Sequence, residues 1–149
     1  RTVQLDIGDE VIPYAFLGVS CTDAGHKFCW NLNRTLGTHL GYHSELEVSH
    51  KKKRPMTRHC VWRHQDEEEG YTFDVIWNRV PEGAMIPTLV HFDYLVRVES
   101  MMGERAATLM EALRPAGRKL NFAAHNLASI WPSRMWQDNF DLRVVLPSC

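Results

Sequence analysis

The sequence predicts an α+β domain, a mainly antiparallel sheet of about five to six strands with two helices packed on one face. Three observations lead there. Period-two stretches outnumber helical ones. Three or four of them run in succession between two helix-like segments. Two of them flank a short acidic, glycine-ended loop, as the arms of a β-hairpin do. The 149 residues fit a single domain, 1–149, with an aromatic C-terminal tail from about 126. A chain of this size buries roughly 68–70% of its unfolded surface and needs no disulfide or metal staple.

"TVQLDI" alternates apolar and polar residues, as a short edge strand does, and stops at Gly8-Asp9. "YAFLGVS", Tyr14 to Ser20, is short and apolar nearly throughout, which predicts a central strand covered on both faces. "CTDAGHKFCWNLNRTLG" predicts a helix over 24–36. Thr22 or Asp23 can cap it, Cys29, Leu32 and Leu36 fall on one stripe that Phe28 widens, and Gly37 stands where helices stop. Lys27, Asn31 and Arg34 take its wet side.

"ELEVSH" alternates and runs into the basic "KKKR", closed by Pro55. "TRHCVWRHQ" and "YTFDVIWN" are the hairpin arms around "DEEEG", and Tyr71, Phe73, Val75 and Trp77 share the core-facing side of the second. "NRVPEGAMIP" is a loop. A strand is expected from Leu89 to Val98, with Phe92, Tyr94, Val96 and Val98 on one face and His91, Asp93, Leu95 and Arg97 on the other. Pro87 can only precede such a strand or lie at its edge, because it has no N–H for the ladder. In "GERAATLMEALRPAG", Ala106, Leu109, Met110 and Leu113 predict the second helix, closed by Pro115. "KLNFAAH" is a further strand, and the tail ends in the strand-like "LRVVL". With helices on one face only, the other face requires the tail, a second copy of the chain or a partner as cover.

Composition narrows the function. Apolar residues make up 44% and charged residues 23%, as in ordinary globular domains, and a formal net charge of −1 supplies no global field for nucleic acid or an acidic membrane. Cys21, Cys29, Cys60 and Cys149 have neither CxxC spacing nor the density of a secreted disulfide scaffold, so free thiols in a reducing compartment are expected. No run reaches the ~18–20 apolar residues of a membrane helix, and the start at Arg1 lacks a basic-then-apolar leader pattern. A cytoplasmic location without membrane contact is the expectation.

"YAFLGVSCTDAGHKFCWNLNRTLG" and "MIPTLVHFDYLVRVES" together resemble the small bacterial IPExxxDY family. The first is similar to its strand and following helix with a Cys-Trp-x-Leu-Asn element, here Cys29, Trp30, Leu32 and Asn33. The second is similar to the naming motif, carried by Ile86, Pro87, Asp93 and Tyr94. Thr88 stands where the name has glutamate, and four residues rather than three separate it from Asp93. The resemblance covers about 14–114, implies a bacterial cytoplasmic protein, and transfers no catalytic residue.

Each candidate site has a structural and a functional reading. On the expected strand the Asp93 carboxylate, next to Tyr94, meets solvent or Arg97 two residues along; a general acid or base would need a partner and a perturbed pKa. Lys51, Lys52, Lys53 and Arg54 make a basic loop that fits phosphates, or simply a solvated, aggregation-resistant turn. An RNA role would also need Trp62 and Trp77 to point outward as stacking platforms. His39 and His43 are spaced like zinc ligands on a helix, but Gly37 and Gly41 argue against a helix there, and His59 and His64 fall on opposite sides of a strand; no metal site is expected. Cys21 is the one thiol placed to have a lowered pKa, while Cys29 and Cys60 read as inert packing.

No GxSxG, P-loop, GxGxxG or HExxH pattern occurs, and no cofactor is indicated. Trp131, Met135, Trp136 and Phe140 in the tail either dock a partner or fold back on the sheet. The expectation is a binding or accessory protein acting through a protein partner or self-association. The alternative is an RNA- or ribosome-associated protein using residues 51–54.

Overall fold

The computed structural model describes residues 14–50, 54–100, 103–127 and 140–145. Within them the chain forms β1 (Tyr14–Ser20), α1 (Gly25–Leu36), β2 (Gly41–His50), β3 (Thr57–Asp66), β4 (Tyr71–Trp77), β5 (Arg79–Val80), β6 (Gly83–Ala84), a short 3-10 turn (Pro87–Leu89), β7 (Tyr94–Ser100), α2 (Gly103–Leu120), β8 (Ala123–Asn126) and β9 (Phe140–Val145). Seven strands make one sheet in the order β8, β1, β7, β4, β3, β2, β9, and every neighbouring pair is antiparallel. Strands β5 and β6 pair only with each other. The fold is the expected α+β arrangement.

Period-two alternation divides the sheet into two apolar faces. Leu17 and Val19 of β1, Val96 and Val98 of β7, and Phe73 and Val75 of β4 meet Phe28, Cys29 and Leu32 of α1 and Leu109, Leu113 and Ala116 of α2. Both helices therefore lie on one face. On the far face Phe16, Leu46, Val61, Ile76 and Leu95 are covered by Met85, Ile86, Leu89 and Leu127, with Phe92 at the side. This cover belongs to the chain itself. The loop between β4 and β7 folds under the sheet, and the Leu127 amide donates to the Phe16 carbonyl at 2.7 Å.

Several boundaries differ from expectation. α1 starts at Gly25 with Ala24 at its N-cap, and neither Thr22 nor Asp23 caps it with a side chain. Gly37 ends it in the left-handed region, φ 70°, as its position implied. The strand expected from Leu89 begins at Tyr94. Pro87 instead opens a 3-10 turn, for which its fixed φ is suited, and Phe92 faces the far-side cluster rather than the helix side. The side chain of Asn78 holds that turn, donating to the carbonyls of Leu89 (2.9 Å) and Phe92 (2.8 Å) and accepting from the Ile86 amide (3.3 Å).

Pro115 does not close α2, which runs to Leu120. The ring lies on the exposed side, where water can satisfy the carbonyl that loses its bond, while Ala116 is buried one residue on. The helix stops at Asn121, φ 60°, and the Phe122 amide reaches back to the Gly117 carbonyl at 2.9 Å, the pattern of a Schellman cap. The edge strand expected in "TVQLDI" lies outside the described residues. No helix among the described residues is long and apolar enough to cross a membrane.

Candidate functional site

The strand order brings the end of β1, the start of β7, the end of β4 and the start of β3 side by side, and α1 begins above them. Between helix and sheet lies a cleft of about 580 Å³. Trp62 of β3 and Trp77 of β4 wall it, both half-buried against the helix-side core. Tyr94 and Cys21, both buried, line it together with the partly exposed Cys60, and Thr22 to His26 with Arg79 form its rim. The first residue of α1 has to be small here. A Cβ on Gly25 would stand 2.1 Å from Cη2 of Trp62, so glycine lets the indole lie directly on the helix start.

Asp93 is a rim residue whose polar groups are all occupied. Its carboxylate accepts the Cys21 amide at 2.8 Å and pairs with Arg79; its own amide donates to the Val19 carbonyl at 2.9 Å. The expected strand had it face solvent or Arg97; it meets Arg79 and the Cys21 amide instead, because it sits in the bend before β7 and closes the cleft. The Tyr94 hydroxyl donates to the Asp23 carbonyl and so fixes the entry to α1. Burial, with nearby thiol and carboxylate groups adding, pushes its phenol well above the usual range. Burial also raises the Cys21 thiol despite a hydrogen bond at Asp23, which reverses the expected lowering. Cys29 is pushed up to about 12 and Cys60 is raised, both chiefly by burial. β1 and β3 are separated by β7 and β4, three strand spacings or about 14 Å, too far for Cys21 and Cys60 to form a disulfide.

At the same end of the sheet, on the far face, a smaller cavity of about 250 Å³ is lined by His50, Arg54, Thr57 and Glu82. A hydrogen-bonded chain leads inward from it. Trp77's carbonyl only accepts, so Nδ1 of His59 carries the proton (2.8 Å); Nε2 of His59 then accepts from the Thr57 hydroxyl (2.6 Å), which accepts in turn from Nε2 of His50 (2.8 Å). His59 has no solvent exposure, and burial lowers its pKa to about 4. Burial, then Arg54, lowers that of His50.

A third polar cluster centres on Asp74, 1% exposed on the far face. Arg63 holds it with two bonds (2.7 and 3.1 Å) and Arg97 with one (2.7 Å). One carboxylate thus serves two guanidinium groups, and Glu99 adds a second acidic group 3.5 Å from Arg97.

Of the residues singled out in the sequence, Asp93 and Tyr94 meet at the cleft, and Arg54 lies at the smaller cavity, exposed. Lys51, Lys52, Lys53, Trp131 and Trp136 lie outside the described residues. Trp62 and Trp77 turn toward the helices, so the open stacking platform required for the RNA reading is not formed by them. His39 and His64 are joined, the His39 amide donating to Nδ1 of His64 at 3.0 Å. Among the described residues no group of three or more histidine, cysteine, aspartate or glutamate side chains is arranged to hold a metal.

The cleft residues come from five elements and the segments between them, and no local spacing announces them. The nearest signal is Trp77, the last core-facing residue of a strand that extends past the helix cover. No family model matches this chain, and no curated protein is similar to it at a significant level.

Proposed function

We propose that this chain is a binding domain that receives an apolar or aromatic side chain of a protein partner in the cleft between Trp62 and Trp77. The observation that carries this reading is the cleft itself: about 580 Å³, within the size of ordinary ligand pockets, and walled by two half-buried indoles. Tryptophans so placed are what interface anchors pack against. The polar groups beside them support binding over chemistry. Asp93 is engaged by Arg79 and the Cys21 amide, the Tyr94 hydroxyl by the Asp23 carbonyl, and both lining thiols are held protonated by burial. A general base or nucleophile would need one of them unengaged.

Selection of peptides from a random phage library on the intact chain tests the reading. Peptides with an aromatic or large aliphatic anchor should be enriched and should shift the tryptophan fluorescence. Trp77→Ala should weaken them at least tenfold while its thermal unfolding still shows a cooperative transition. Failure to enrich, or binding that Trp77→Ala and Trp62→Ala leave untouched, would overturn it.

A further inference from the structure

Outside the cleft, the most exposed large apolar side chain among the described residues is Trp30, 57% exposed on α1. His26, Trp30 and Arg34 follow at i, i+4 and i+8 and form one stripe along the helix, and His26 is also part of the cleft rim. The stripe therefore starts where the cleft opens. The Arg34 guanidinium lies 4.6 Å over the Trp30 ring, and among the described residues no carboxylate forms a salt bridge with it. Lys27, one turn before Asn31 on the same outer side, is 62% exposed and only loosely paired with Asp23 at 3.7 Å. From Gly25 to Leu36 the helix contains no acidic residue. Its outer face is thus an aromatic and positive track that leads away from an apolar pocket.

The geometry points to an acidic peptide segment as the occupant: one apolar anchor enters the cleft, and the carboxylates that follow it lie along His26, Lys27 and Arg34, with Trp30 as the platform between them. This rests on the cleft reading above and adds the charge of the partner. Nucleic acid fits the same surface less well. A phosphate backbone would pass the carboxylates of Asp23 and Asp93 at the cleft mouth, and α1 itself contributes only two cations besides a histidine.

Three synthetic peptides separate the possibilities, each with a phenylalanine anchor followed by a run of glutamates, glutamines or lysines, titrated into the intact chain by fluorescence anisotropy at low and high salt. The glutamate peptide should bind about tenfold tighter than the glutamine peptide at low salt, and the advantage should shrink at high salt, as it does for exposed charge pairs. Lys27→Glu with Arg34→Glu should erase the advantage, weakening the glutamate peptide at least tenfold more than the glutamine peptide. Trp77→Ala should weaken both.

Equal binding of the glutamate and glutamine peptides, still lost in Trp77→Ala, would overturn the acidic partner and leave the cleft reading standing. Absence of binding by all three would overturn both. Tighter binding of single-stranded oligouridine than of the glutamate peptide, competitive with it, would replace the peptide with nucleic acid.

Discussion

Replacing Asp74 by asparagine keeps its shape and removes its charge, which makes it a direct probe of what holds the far face together. In the native protein one carboxylate, 1% exposed, accepts three charge-assisted hydrogen bonds from two guanidinium groups. Asparagine retains one acceptor oxygen and turns an amide donor toward the other guanidinium, so one or two of these bonds fail, at about 1.5–3 kcal/mol each. Breaking a fully buried pair costs about 3–5 kcal/mol, but the Arg63 and Arg97 side chains are 28% and 20% exposed and recover part of the loss from water. The expected destabilisation is therefore about 2–3 kcal/mol, or roughly 4–12 °C in Tm for a chain of this size. Urea unfolding followed by circular dichroism, with the slope against denaturant unchanged, measures it. A loss below about 0.5 kcal/mol would refute the claim that Asp74 anchors both arginines. The triple variant Asp74→Leu, Arg63→Met, Arg97→Met should fall close to the wild type, because it removes the buried charges together.

His59 should make folding acid-sensitive. With a folded pKa near 4 against an ordinary 6.5, the unfolded chain takes up a proton that the native one refuses, so stability is full above pH 6.5 and declines as pH falls toward 4, by about 3 kcal/mol in all; a urea midpoint flat across that interval would contradict the burial of a neutral imidazole. Asn78→Ala leaves two carbonyls and one amide of the 86–92 turn without their partner and should cost roughly 2–4 kcal/mol, with hydrogen exchange accelerated at Ile86 to Phe92 and little changed in α2. Alkylation of the native protein at pH 8, mapped by mass spectrometry, should modify Cys60 before Cys21 or Cys29, since it alone of the three is not buried; equal labelling of Cys29 would contradict its packing.

Local pattern made β1, the β3–β4 hairpin and α1 readable: β1 is an unbroken apolar run buried from Ala15 to Val19, and in the hairpin and α1 the core-facing residues recur at the period of the element. It failed where tertiary contacts decide. Phe92 continues the alternation of Tyr94, Val96 and Val98 in sequence, yet Asn78, fourteen residues earlier, draws its carbonyl into a turn, and the ring then packs over Gly18, where a Cβ would come within 2.6 Å of it. Pro115 is a helix stop by local rules. The buried Ala116 and the Gly117–Phe122 cap carry the helix past it. The cleft was the least legible feature, since Gly25, Trp62, Trp77 and Asp93 are neighbours only through the strand order. Asp93 was expected within a strand, facing solvent or Arg97; it lies in the bend before β7, and its carboxylate reaches across to Cys21 and Arg79 rather than along a strand.

The place of the cleft follows from a mismatch in width. Seven strands span about 29 Å across the sheet, whereas two helices side by side cover about 20 Å. α2 packs over β1, β7 and β8, and α1 lies beside it, so the helix cover runs out near β3. Beyond that line the strand surface has to be made tolerable to water by other means. On β2 and β3 this is done with charge: Arg58 pairs with Glu47 at 2.8 Å and lies 3.9 Å from Glu45. At the line itself stand Cys60, Trp62 and Trp77, too apolar for an open surface and only half covered by the start of α1. A domain whose sole need was stability would fill this seam with a longer helix or polar side chains. Two tryptophans at the seam, beside ion pairs already closed on themselves, leave apolar area whose burial a partner can complete at roughly 25 cal/mol per Å² before the costs of association.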